Sequence, residues 1–243
     1  MTTSSFAITA QVAVHGPAAA DKQVPAVLRR RIDEFSANAY AAVAAMGENE
    51  DLRRTGIFVA NTLAGWGYGE PQLQALVAKG PEAVAVYQAT AWFPAAAQGE
   101  VTIARGYRGC AKTYSGERSA LGEAFWAAAE ELRAGTLDVV YVGAAESATS
   151  EFAATHSPQV RRRRDNGAAF FRLRGLASAT ASLGAVDGWS IGWQEPDEDS
   201  SGSLPGRTPL AIAGDLADGL QRNNREKYWL GGGFVLCPEV VKL

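Results

Sequence analysis

Two cysteines, two histidines and two methionines in 243 residues leave this sequence poor in the side chains that metal and thiol chemistry draw on. Cys110 and Cys237 allow one disulfide at most, which is no secreted cysteine framework. His15 and His156, taken with the cysteines, show no ligand spacing, so neither a metal centre nor a cofactor is expected. No apolar stretch approaches the roughly 20 residues that span a bilayer. The segment Met1 to Phe6 lacks the basic and apolar regions of a signal peptide, which makes a reducing cytoplasm the expected location. Charge of either sign is in short supply. The net charge of −3 gives no electrostatic reason to expect nucleic acid or an anionic membrane as a partner. The one dense basic run, Arg161 to Arg164, is short and isolated and is expected to be a solvated loop. There is no internal repeat.

Apolar residues are not lacking. At 47% hydrophobic and 20% charged, the chain can build one sizeable core, and residues 1–243 are expected to form a single domain. Phe6 to Val14 alternates loosely and ends in His15-Gly16-Pro17, as a strand into a turn. Ser36 to Met46 is rich in alanine and stops at Gly47, predicting a helix. Thr55 to Thr62 is a short apolar run that reads as a buried parallel strand. Leu63 to Gly69 then reads as a loop with glycines at 65, 67 and 69. No Lys-Ser or Lys-Thr follows, so it is no phosphate cradle. Gly99 to Ile103 reads as the end of a helix.

Between Ser119 and Ala134, Leu121, Ala124, Phe125, Ala128 and Leu132 fall on one helical face, and Gly135 provides the stop. Leu137 to Ala144 follows at once as a buried strand, giving half of a right-handed crossover. Ala168 to Leu173 predicts another strand. Residues 196–209 are rich in Ser, Gly, Pro and acid, predicting an exposed loop. A short helix is expected from Pro209 to Asn223, and an edge strand at Phe234 to Cys237, entered through Gly231-Gly232-Gly233.

Four segments in order carry a family resemblance. They are Arg54 to Thr62, Gly99 to Gly109 with its Gly106-Tyr107-Arg108-Gly109 turn, Ala134 to Glu146, and Asp165 to Leu173. Together they resemble the N-terminal half of the β-ketoacyl synthases of the thiolase-like superfamily, over residues from about 5 to 175. The chain is most similar there to short, chain-length-factor-like companions of true synthases. The resemblance implies an α/β fold: a layered α/β/α half of the thiolase-like architecture with a mostly parallel sheet, truncated relative to full ketosynthases. It leaves open whether the residues after Asp187 complete that sheet.

The family's nucleophile is a cysteine at the N-terminus of a buried helix, where dipole and backbone N–H groups lower the thiol pKa and bind an oxyanion. The matching position here is Glu117, Arg118 or Ser119, and none is a cysteine. Cys110 precedes that helix by several residues and reads as a packed thiol, as does Cys237. The family's catalytic histidines lie in its C-terminal half, outside the likeness. Glu130 and Glu131 are neighbours on a helix and point to different sectors, so they form no acid–base pair.

The resemblance therefore implies a non-condensing subunit. It would pair with a complete ketosynthase, or with itself, through a strand in the core, and would help shape a tunnel for chains bound to an acyl carrier protein. Ala91, Trp92 and Phe93, with Tyr114 at the elbow, are the residues expected at that tunnel or dimer seam. The alternative is a stand-alone enzyme with new chemistry on a carrier-bound acyl chain, cyclisation or hydrolysis, using Glu117 and Arg118.

Overall fold

The computed structural model describes residues 4–16, 23–47, 51–116, 119–147, 151, 155, 166–177, 179, 188–194, 208–223 and 226–239. In chain order the elements are β1 (Ser4–His15), α1 (Ala26–Arg29), α2 (Glu34–Ala45), a 3₁₀ turn at Leu52–Arg54, and β2 (Thr55–Asn61). Then come α3 (Trp66–Lys79), a second 3₁₀ turn at Pro81–Ala83, α4 (Gln88–Ala91), α5 (Ala96–Arg105), β3 (Ala111–Ser115), α6 (Ala120–Arg133) and β4 (Val139–Glu146). The chain continues through β5 (Gly167–Gly175), β6 (Gly188–Trp193), α7 (Pro209–Gln221), β7 (Tyr228–Gly231) and β8 (Phe234–Glu239).

These strands form one eight-stranded sheet in the order β3-β2-β4-β5-β1-β6-β8-β7. Every residue of β2 and β4 is buried, because helices cover both faces. Alternate residues feed two cores. On one side Phe58, Val140, Val142 and Phe171 meet α6 and α7. On the other, Ile57, Val59, Tyr141 and Phe170 meet α2 and α5. The layered α/β/α architecture is as expected.

The sheet is not mostly parallel. β2 runs parallel to β3 and β4, and every other pairing is antiparallel. A strand covered on both faces shows the same continuous apolar run whichever way it points, so direction was not legible in β5. β1 sits inside the sheet between β5 and β6, with a register shift between Ile8 and Ala10 that accounts for its loose alternation.

α6 follows its pattern closely: Leu121, Ala124, Phe125, Ala128 and Leu132 are all buried. α2 is buried along most of its length, with Asp33 as N-cap accepting the Phe35 N–H at 2.9 Å. The expected loop through Gly69 is largely helix, since α3 begins at Trp66 and runs through Pro71. Its glycines serve packing: Gly69 is its only buried residue and lies against Trp92 and Gln88. The expected 196–209 loop falls outside the described residues except for Thr208 and Pro209, and α7 runs from Pro209 to Gln221 as the sequence suggests. The tail is a hairpin: β7 is the edge strand, and β8, which holds Cys237, lies inside it.

Candidate functional site

The parallel strands β3, β2 and β4 end together, at Ser115, Asn61 and Glu146. Crevices outside such strand ends are where open α/β sheets place their chemistry. Asn61, the last residue of β2, ties the end of β3 to the segment at Pro94. It accepts the Ser115 hydroxyl at 2.7 Å and donates to the Pro94 carbonyl at 2.9 Å. Thr62 donates its hydroxyl to the Gly116 carbonyl at 3.0 Å.

The position where the resemblance implies the nucleophile elbow lies between strand β3, which ends at Ser115, and the buried helix α6. Ser119 is its N-cap, with no capping bond from its side chain. Glu117 and Arg118 lie outside the described residues. The elbow is covered by the β7–β8 turn. A Cβ on Gly232 would stand 2.5 Å from the Ser119 Cβ, and one on Gly122 would stand 2.5 Å from the Phe234 Cβ. Glycine at 232, with φ +60°, is thus what lets the hairpin close onto the helix N-terminus. Trp193 Nε1–H fixes the turn through the Gly232 carbonyl at 3.1 Å.

Neither described thiol is placed to act here. Cys110 precedes β3 at the end remote from the elbow, roughly 15 Å away by strand rise. Burial pushes its thiol up, which disfavours thiolate. Cys237 is paired opposite Ser190, and both cysteines are free. His15 ends β1 beside a 460 Å³ cavity shared with Asp218 and Gln221, and His156 lies outside the described residues. Among the described residues no His, Cys, Asp and Glu group could hold a metal ion. Glu130 and Glu131 turn apart as expected, to Arg133 at 2.6 Å and to Lys112 at 3.3 Å.

Of the residues expected at the tunnel or seam, Ala91, Trp92 and Phe93 come together. Ala91 is buried, while Trp92 and Phe93 are 38% and 52% exposed. Trp92 stands edge-to-face between Trp66 and Phe93, with ring centroids 6.5 and 6.3 Å away. Tyr114 is half-buried on β3, edge-on to Phe58 at 6.4 Å. It belongs to the elbow rather than to the aromatic group.

Two buried carboxylates went unassigned in the sequence. Glu146, 1% exposed at the end of β4, accepts the backbone N–H groups of Thr62, Leu63 and Ala64. Burial pushes its carboxyl up to about 7 against the pull of those bonds. Asp33, 4% exposed, accepts the Phe35 N–H, with the Tyr68 N–H and the Ser147 side chain beside it, and burial lifts it to about 6. Glu146 closes both an unbroken apolar run and the segment Ala134 to Glu146 that carries the resemblance, yet neither signal assigned it a role.

No protein-family model matches the chain. The tetracenomycin polyketide synthase ketoacyl synthase beta subunit of Streptomyces glaucescens is 34% identical over 100 residues, 41% of this chain and 24% of that protein. A putative polyketide beta-ketoacyl synthase 2 of Streptomyces cyaneus is 40% identical over 93 residues, 38% of this chain and 22% of that protein. The matched stretch thus spans about a quarter of these curated relatives' length.

Among solved structures, one match lies in AntDE:AntF, a type II polyketide synthase acyl-carrier protein in complex with its ketosynthase bound to the hexaketide. It has a TM-score of 0.76 at 19% identity, over 97% of this chain and 98% of that one. Another lies in the ketosynthase ApeO in complex with its chain length factor ApeC from Xenorhabdus doucetiae. Its TM-score is 0.67 at 13% identity, over 97% of this chain and 99% of that one. The fold is thus the thiolase-like α/β fold of the ketosynthases, and it continues past residue 175, where the sequence likeness fades. Over the matched stretch the chain is similar to β-ketoacyl synthase and chain-length-factor subunits of type II polyketide synthases, a partial likeness in sequence and a fuller one in fold.

Proposed function

We propose that this chain is a non-condensing, chain-length-factor-like subunit. It forms one ketosynthase-like unit that pairs with a complete ketosynthase in the cytoplasm and shapes the tunnel receiving carrier-bound polyketide or fatty-acyl chains. The observation that carries this reading is the Gly232 turn packed onto Ser119 at the N-terminus of α6, where residues 117–119 supply no thiol. A condensing enzyme needs open space at that helix N-terminus for a thioester.

Two surfaces support the pairing. Among the described residues β3 has a neighbour strand on one side only, so its outer backbone groups between Ala111 and Ser115 are available to a partner strand directly upstream of α6. The excursion between β2 and α5 carries exposed Leu73, Val77, Val86, Tyr87, Trp92 and Phe93, an apolar surface of the kind that marks an interface. Hydrogen bonds from Asn61 to Ser115 and Pro94 make the two surfaces neighbours. Similar folds occur in structures of a ketosynthase with its chain length factor and of a ketosynthase with its carrier protein.

The test is co-expression with a complete ketosynthase encoded alongside, purification through a tag on this chain, and mass measurement of the eluate. A stoichiometric complex is the expected result. A stable homodimer that ignores every ketosynthase offered would overturn the reading and turn attention to Glu117, Arg118 and an independent chemistry.

A further inference from the structure

The exposed excursion is joined to the sheet through a narrow root, and the root is where the two buried carboxylates sit. α3 packs chiefly against the segment that follows it, at 81–91, rather than against the sheet. What fixes it is local. Glu146 gathers three consecutive N–H groups, from Thr62, Leu63 and Ala64, immediately before α3. Ala64 is held there at φ +49°, in the left-handed region that a residue with a Cβ enters at a cost. Asp33, which caps α2, lies beside the Tyr68 N–H in the first turn of α3, a group that donates to the Gly65 carbonyl at 3.0 Å, and beside Ser147 next to Glu146.

Between these two anchor points lies Gly65, where a Cβ would stand 2.3 Å from the Ala91 carbonyl oxygen and 2.5 Å from the Trp92 Cα. The root thus bears directly on the backbone that carries Trp92 and Phe93. Among the described residues neither acid forms an ion pair, and the groups that Glu146 bonds belong to the root itself.

We propose that Glu146 and Asp33 are positioning residues for the partner surface: by clamping residues 62–64 and 68 to the ends of β4 and α2, they set the register in which Trp92 and Phe93 meet the ketosynthase. This rests on the pairing reading above. The clamp sits inside the fold and acts on the seam only through backbone.

The test uses hydrogen exchange on the full chain alone, and affinity for a ketosynthase measured separately, in Glu146→Ala, Glu146→Gln and Asp33→Asn. Losing the carboxylate leaves three N–H groups without an acceptor. Exchange at residues 62–68 and 86–93 should then rise about tenfold in Glu146→Ala, while amides of the β1–β5 ladder stay protected. Affinity should fall about tenfold as well, and Glu146→Gln, which keeps one acceptor oxygen, should recover much of both.

Unchanged exchange at 62–68 in all three variants overturns the clamp. Local loosening with unchanged affinity overturns its positioning role. A uniform rise in exchange across the sheet marks Glu146 as merely structural and overturns it too. If Glu146→Ala fails to fold, the Gln and Asn variants decide by the same readings. If the wild-type chain binds no ketosynthase, the pairing reading fails by itself, and the exchange data still decide the clamp.

Discussion

β4 and α3 use apolar residues in opposite ways. All eight residues of β4 are buried, and its neighbours β2 and β5 press against it in full register. α3 is longer, at 14 residues, yet buries only Gly69, and Leu73 and Val77 stand in solvent. Both segments are hydrophobic enough to read as core. The difference is that, among the described residues, β4 is paired on both sides while α3 packs chiefly on the segment at 81–91 and not on the sheet, so its stability must come from its root and that segment. One region of the molecule is finished, and the other is waiting.

The comparison can be broken in either region. In the finished one, Phe171→Ala removes a ring packed on Phe125 with centroids 5.5 Å apart, and should cost about 3–5 kcal/mol by urea unfolding. A loss below 1 kcal/mol would mean that this core is not as tightly made as it looks. In the waiting one, the double change Trp92→Ser with Phe93→Ser should leave stability within about 1 kcal/mol. It should weaken association with a ketosynthase by about thirtyfold, measured by calorimetry. If stability falls instead, the aromatic pair is core and the contrast disappears.

The two carboxylates at the boundary give a pH dependence. Each takes up a proton more readily in the folded chain than in the unfolded one. Their stabilising contribution is therefore complete below about pH 4 and is lost as pH rises through about 6 for Asp33 and about 7 for Glu146. Glu34 beside Asp33 acts in the same direction. Glu130, Glu131 and Asp138 are held below the usual carboxylate range by their partners, so they oppose this trend only in stronger acid. The melting temperature should thus fall by about 5 °C between pH 5.5 and pH 8, and Glu146→Gln should flatten that slope. A rise over the same window would show that the carboxylates are solvated. The smallest effect is expected from Glu117→Gln, with stability unchanged and, in the complex, a shift in product length. Loss of a turnover that this chain performs alone would favour the enzyme alternative.

How much of this could be seen in the sequence follows from the same contrast. α6 and β4 were legible because a 3.6-residue apolar face, a glycine stop and an unbroken apolar run each have one structural solution. α3 was not, because Gly67, Gly69 and Pro71 argue against helix, and only the backbone of Ala91 and Trp92 shows why small residues are needed nearby. The direction of β5 and the central place of β1 are long-range choices that leave no local trace. At the site, resemblance pointed to Ala91 to Phe93 and to the position before α6. Gly232 lies in a tail where the likeness had faded, and Glu146, though inside a resembling segment, looks like no more than the end of a strand.

The place of β1 has a consequence for how the molecule is made. Thr9 on β1 and Arg172 on β5 are bonded side chain to side chain across 163 positions of sequence. β6, its other neighbour, is synthesised later still. At ribosomal speed the first strand leaves the exit tunnel on the order of ten to thirty seconds before either flank exists. During that interval an apolar ribbon with both edges open is exposed to every other nascent chain nearby. The sheet closes around its oldest strand last, so folding should be slow for a chain of this size and should depend on a holding chaperone during synthesis.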